Sequence, residues 1–156
     1  MLLDVICYID AFNWLWKIGM KKENNKSEIL IDEYPEIDYT STEDKSIIKG
    51  KYMWEDILIY YYWETWHPCA YLKIKWDENS VYYLDDEPCH WWITFSKYIK
   101  EDGWRWDKWY WIWWDYAHAG DYMRILWHEE DKKRTTKEIL KDIEEMIVYC
   151  KTKGIL

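Results

Sequence analysis

The sequence predicts an α+β domain with a mostly antiparallel sheet, and three observations carry that reading. Runs dense in Ile, Tyr, Trp and Thr recur from residue 57 onward, separated by polar punctuation; β-branched and aromatic side chains suit a pleated, half-buried surface and mark strands. Thr135 and Glu138 form a capping box ahead of Ile139, Ile143 and Ile147, which return at helical spacing. The strand signals follow one another and the helical one comes last, the order expected of strands paired antiparallel rather than of βαβ units. About five or six strands, a C-terminal helix packed on one face and a short N-terminal helix are expected, all in one domain spanning 1–156. Residues 1–50 form a variable N-terminal part with an acidic loop, and residues 51–156 form the sheet core and C-terminal helix.

Taken in order, Asp10 is expected to be a helix N-cap before Phe12, Leu15, Trp16 and Ile18. From Glu28 to Asp44 there are seven acidic residues and no basic one, with Pro35 among them, which reads as an exposed loop or edge segment. The candidate strands are 57–63, 69–76, 81–84, 91–98, 109–116 and 122–127. Asp102-Gly103 is a turn signal, so residues 91–116 are expected to form an antiparallel hairpin with a long loop. Leu72, Ile74 and Trp76 alternate with Tyr71, Lys73 and Lys75, the pattern of a strand with one solvated face. Leu140 and Met146 widen the apolar stripe of the last helix, and Gly154 ends it.

A chain of 156 residues is long enough to bury a core without disulfides or a structural metal. It is 49% hydrophobic and 33% charged, a globular profile. No apolar run approaches the roughly 18 residues that span a bilayer, and Asp4 and Asp10 interrupt the N-terminal apolar stretch, so no membrane partner and a cytoplasmic location are expected. A net charge of −9 argues against binding a nucleic-acid backbone, which needs clustered Lys and Arg. It suits a soluble ligand binder, or an acidic decoy that occupies a basic partner surface. The sequence leaves homo-oligomerisation open. The cysteines at 7, 69, 89 and 150 form no C-x-x-C pair and read as free thiols, although Cys69 and Cys89 each lie within two residues of a histidine.

Chemistry concentrates in the second half, which holds all four histidines: His67, His90, His118 and His128. The first three stand at strand ends, where binding and catalytic groups are displayed, whereas His128 sits in a charged run and reads as a surface residue. Asp115, His118 and Asp121 are spaced three apart, and Gly120 turns the chain between them, so a strand leading into a tight loop is expected. Such a loop brings carboxylates and imidazole to one point. His67, His90, Thr94, Asp115, His118, Asp121 and Tyr122 are therefore the candidate ligand-binding residues. His118, Asp115 and His90 are the candidates for acid–base catalysis, and His90, Asp115, His118 and Asp121 for a divalent metal, with no cofactor assigned. The competing reading is structural: Asp115 and Asp121 accept backbone amides of the turn. No G-x-S-x-G, P-loop, G-x-G-x-x-G or H-E-x-x-H motif is present, which weighs against an enzyme.

Three blocks, His67-Pro-Cys-Ala-Tyr71, Cys89-His-Trp-Trp-Ile-Thr-Phe-Ser96 and Trp109-Tyr-Trp-Ile-Trp-Trp-Asp-Tyr-Ala-His-Ala-Gly-Asp-Tyr122, together resemble a group of small, largely uncharacterised phage and prophage proteins. The resemblance covers about a third of the chain, and it implies a phage source and the host cytoplasm rather than a reaction. That group has His-Gly-Gly in the second block, where this chain has Trp91 and Trp92. It has glycine in the third block at the place of Trp113, and often before the first histidine, at the place of Trp66.

Fifteen tryptophans stand against five glycines, when about 7% glycine, roughly eleven residues, is ordinary. Glycine supplies positive φ and close backbone approach that an indole-bearing residue does not. A gene using UGA for glycine, but read as though UGA meant tryptophan, would produce this joint excess and deficit at Trp66, Trp91, Trp92 and Trp113. If genuine, Trp91, Trp92 and Trp113 are expected to form an aromatic cage, an interface or ordinary core. The function expected is that of a phage-type accessory protein binding a small polar ligand, a nucleotide-derived one being one option, in a His/Asp/aromatic pocket during host–phage conflict. The alternatives are a metal-dependent or acid–base hydrolase using the same cluster, and an acidic protein-binding inhibitor working through residues 28–44.

Overall fold

The computed structural model describes residues 34–75, 88–90, 93–97, 109–123 and 128–156. Five strands and one helix are defined among them: β1 (Lys45–Tyr52), β2 (Glu55–Tyr62), β3 (His67–Lys75), β4 (Phe95–Lys97), β5 (Trp109–Asp115) and α1 (Thr136–Lys153). The order across the sheet is β1-β2-β3-β5-β4 with every pair antiparallel, four strands of seven to nine residues and a three-residue edge strand. The α+β class, the antiparallel sheet and the terminal helix are as the sequence predicts. The expected N-terminal helix, Cys7, Trp91, Trp92 and the candidate strand 81–84 lie outside the described residues, as does most of the candidate strand 122–127.

Alternation along the strands sorts side chains onto two faces. On one face Ile57, Ile59, Ala70, Leu72, Ile74, Ile112 and Trp114 meet Ile139, Leu140, Ile143, Met146, Ile147 and Cys150 of α1 to form the main core. On the other, Leu58, Tyr60, Cys69, Tyr71 and Trp111 form a second buried cluster. The expectation that Tyr71 faces solvent is thus corrected: it is 2% exposed, its ring lies 5.4 Å from that of Trp113, and its hydroxyl is 2.8 Å from that of Tyr62. The same face does emerge into water further along, at Lys73 and Lys75.

The helix forms as its caps dictate. The Thr135 side chain accepts the Glu138 N–H, the Glu138 carboxylate accepts the Thr135 N–H, and Gly154 closes the other end with φ +72. The acidic stretch is not simply a solvated loop. Ile37 enters the core, Glu36 accepts the Thr136 N–H at 3.1 Å, and the Pro35 carbonyl accepts the Thr136 hydroxyl at 2.9 Å. A carboxylate here answers the unpaired amides and positive dipole end of α1. Among the described residues, no helix is long and apolar enough to cross a membrane. Among the described residues, Cys69, Cys89 and Cys150 form no disulfide, and Cys69 and Cys150 are buried.

Candidate functional site

The candidate residues gather where β5 ends and the chain turns toward α1. β5 pairs with β3 so that Asp115 lies opposite Cys69, and the Tyr116 N–H continues the ladder to the Pro68 carbonyl at 3.1 Å. His67 therefore stands on the same face as Asp115, two residues along β3 from Asp115's partner. Beyond Asp115 the chain bends, and the Asp121 N–H returns to the His118 carbonyl at 2.9 Å. The third residue of this turn, Gly120, has φ +91, the region that type II turns reserve for glycine. A short parallel bridge fixes the loop to the approach to α1: the Tyr122 N–H donates to the Lys132 carbonyl and the Lys132 N–H to the Gly120 carbonyl.

Asp121 is the hub. Its side chain is 1% exposed and its Oδ2 lies 2.6 Å from His90 Nε2, while its Oδ1 accepts from Arg134 Nε at 3.0 Å. The His118 N–H donates to Oδ2 at 3.3 Å. Burial alone would raise this carboxyl, but the bonds from His90, Arg134 and the His118 amide outweigh it and hold the group below the usual carboxylate range. His90 also stacks on Tyr116, with centroids 4.9 Å apart and planes 14° apart. The Tyr116 hydroxyl accepts from Trp114 Nε1 at 3.1 Å and donates to Asp142 of α1 at 2.9 Å. Burial and the nearby Asp142 charge push the Tyr116 phenol well above its ordinary value, and burial likewise raises the Asp142 carboxyl.

A second carboxylate–imidazole pair adjoins the first. His118 Nε2 lies 3.5 Å from Asp115 Oδ1, and the His118 ring centroid is 5.9 Å from that of His90. Asp115 also accepts the Ala117 N–H, and its own N–H donates to Thr94 Oγ1 at 3.3 Å. The His118 side chain is 32% exposed, more than any of His90, Asp115 or Asp121, although its Nε2 is buried. His67 is fully buried beside them. Burial keeps its imidazole below the ordinary value, although the Asp115 carboxylate pulls the other way.

Thus His67, His90, Asp115, His118 and Asp121 are brought together, with Thr94 supporting the Asp115 backbone. Tyr122 is turned to Tyr39, edge-on at 5.7 Å, and lies under the Lys133 ammonium at 4.3 Å. His128 is exposed, as expected. The structural role foreseen for Asp115 and Asp121 is also present, since both accept turn amides, and each engages an imidazole as well. Among the described residues, no three His, Cys, Asp or Glu side chains are grouped to hold a metal ion. His90 Nε2 and Asp121 Oδ2, both metal candidates, are spent on each other.

Sequence reasoning missed Tyr116, Arg134 and Asp142. Asp142 carried a faint signal, because it borders the apolar stripe between Ile139 and Met146, where a carboxylate needs a partner. Arg134 carried none, since its partner lies 13 residues away across a turn. No family model, curated protein or solved structure matches the chain.

Proposed function

We propose that the chain binds a small polar ligand bearing an acidic group, with a nucleotide-derived phosphate as the type, at the His90–His118 pair. The observation that carries this reading is two imidazoles with ring centroids 5.9 Å apart, His90 hydrogen-bonded to Asp121 at 2.6 Å and His118 with its Nε2 3.5 Å from Asp115. The Asp121 contact fixes the orientation of the His90 ring, and the His118 ring, 32% exposed, meets solvent beside it. Fixed polar groups converging beside buried aromatic rings are the anatomy of small-molecule sites. The Asp121 charge does not repel an anion strongly, because Arg134 and His90 already face it. The setting proposed, from the sequence blocks, is a phage accessory protein acting in the host cytoplasm.

Calorimetric titration with a nucleoside monophosphate, and with inorganic phosphate alone, tests the reading. Saturable binding that falls about tenfold or more in His118→Ala is expected, the loss of one charge-assisted contact. Equal binding by the variant, or none by either protein, would count against it.

The 2.6 Å His90–Asp121 contact favours a second reading, acid–base hydrolysis without metal, since an oriented imidazole is also the form of a general base. Turnover of a phosphoester abolished in His90→Ala, with ligand binding retained, would select it. The acidic-inhibitor reading is weaker, because Glu36 and Ile37 are used by the fold itself.

A further inference from the structure

We infer that the native chain carries glycine, not tryptophan, at positions 54 and 66, and that the gene's codons there are UGA decoded as glycine. The inference is independent of any ligand at the histidine cluster and rests first on backbone geometry. β1 and β2 are joined by two residues, Met53 and Trp54, with Tyr52 paired to Glu55. Their φ angles are +50° and +72°. A two-residue hairpin with positive φ at both places is the type I′ turn, whose second place belongs to glycine.

The next hairpin repeats the pattern with a longer loop. Residues 63–66 join β2 to β3, Tyr62 pairs with His67, and the Trp66 N–H closes the loop on the Tyr62 carbonyl at 2.7 Å. Trp66, the last loop residue, has φ +58°. In both hairpins, therefore, the residue entering the next strand is a tryptophan in the left-handed region. Among the described residues the other positive φ values belong to Met53, Gly120 and Gly154. Tryptophan does at two hairpin turns what glycine does at the Gly120 turn and at the Gly154 helix cap.

An L-residue pays for this conformation through its Cβ, and a bulky one is a genuine outlier there. The Trp54 side chain gains little packing to offset that strain, because it is 69% exposed. The codon follows from composition. Fifteen tryptophans against five glycines is a joint excess and deficit, and UGA is the codon that different genetic codes assign to either residue. Position 66 matters for the site, since it sets the backbone that delivers His67. Trp113 gives no such backbone signal: it lies in the regular β3–β5–β4 ladder, opposite Tyr71 and Phe95, and the inference is not extended to it.

Reading the gene tests the inference directly. UGA at codons 54 and 66 is expected, together with peptide masses showing glycine at both positions in protein made by the native translation system. UGG at either codon overturns it. A second measurement tests the strain itself in the chain as written. Trp54→Gly should raise the folding equilibrium constant about tenfold in urea titration, whereas Trp54→Ala, which keeps the Cβ, should not. Equal gains from both variants would show that removing an exposed indole, not relieving the backbone, is what helps.

Discussion

At the scale of single residues, Asp121 joins three parts of the chain by accepting from His90, Arg134 and the His118 amide while nearly fully buried. Asp121→Asn keeps the shape and removes the charge, leaving a guanidinium without its counter-ion. It should lower stability by about 3 kcal/mol in urea unfolding, as expected when one partner of a buried pair is lost. His67 makes a different prediction. Its folded-state value lies below the ordinary 6.5, so protons bind the unfolded chain first. Its contribution is present above 6.5 and is lost as pH falls from there through the folded value, with Asp115, His118 and Asp121 as the charged neighbours. Unfolding free energy should therefore decline between pH 7.5 and 5.5, and less steeply in His67→Gln. The spacing of Asp115, His118 and Asp121 around Gly120 was enough to read the loop from the sequence. Tyr116, Arg134 and Asp142 were hidden because what places them is tertiary contact, not local pattern.

At the scale of elements, the helix was the most legible, because its capping box, apolar stripe and terminal glycine all act within one segment. Thr135→Ala should cost about 1 kcal/mol by removing the cap. Ile143→Ala, at a site with no exposure, should cost about 3 kcal/mol by opening a cavity between α1 and the sheet. Thermal or urea unfolding of the two variants checks both values and their order. The long strands β2, β3 and β5 were readable from dense aromatic and β-branched residues. β1 was not, since Lys45-Ser-Ile-Ile-Lys-Gly-Lys-Tyr52 mixes lysines and a glycine into an edge strand, and an irregularity between Ser46 and Ile48 breaks its alternation. Tyr71 was misread for a related reason. Alternation with two lysines signalled a wet face, but the hydroxyl of Tyr62 and the ring of Trp113 give that tyrosine a buried place.

At the scale of the whole molecule, a sheet with one helix-covered face carries its polar cluster at one end, where the loop after β5 is stitched by the Asp121–Lys132 bridge to the approach to α1. The loop holding His118 is thus anchored on both sides, which would keep the ordering cost of the proposed binding small. Gly120→Ala should loosen that anchor by forcing a Cβ into a left-handed position, costing about 1 kcal/mol of stability. The central claim is that His90 and His118 together receive an acidic ligand. The most direct measurement is an NMR titration of the histidine ring resonances with a nucleoside monophosphate. Saturable shifts of the His90 and His118 signals, with the exposed His128 unmoved, are the predicted result. Shifts at His128 alone, or none at His90 and His118, would contradict it.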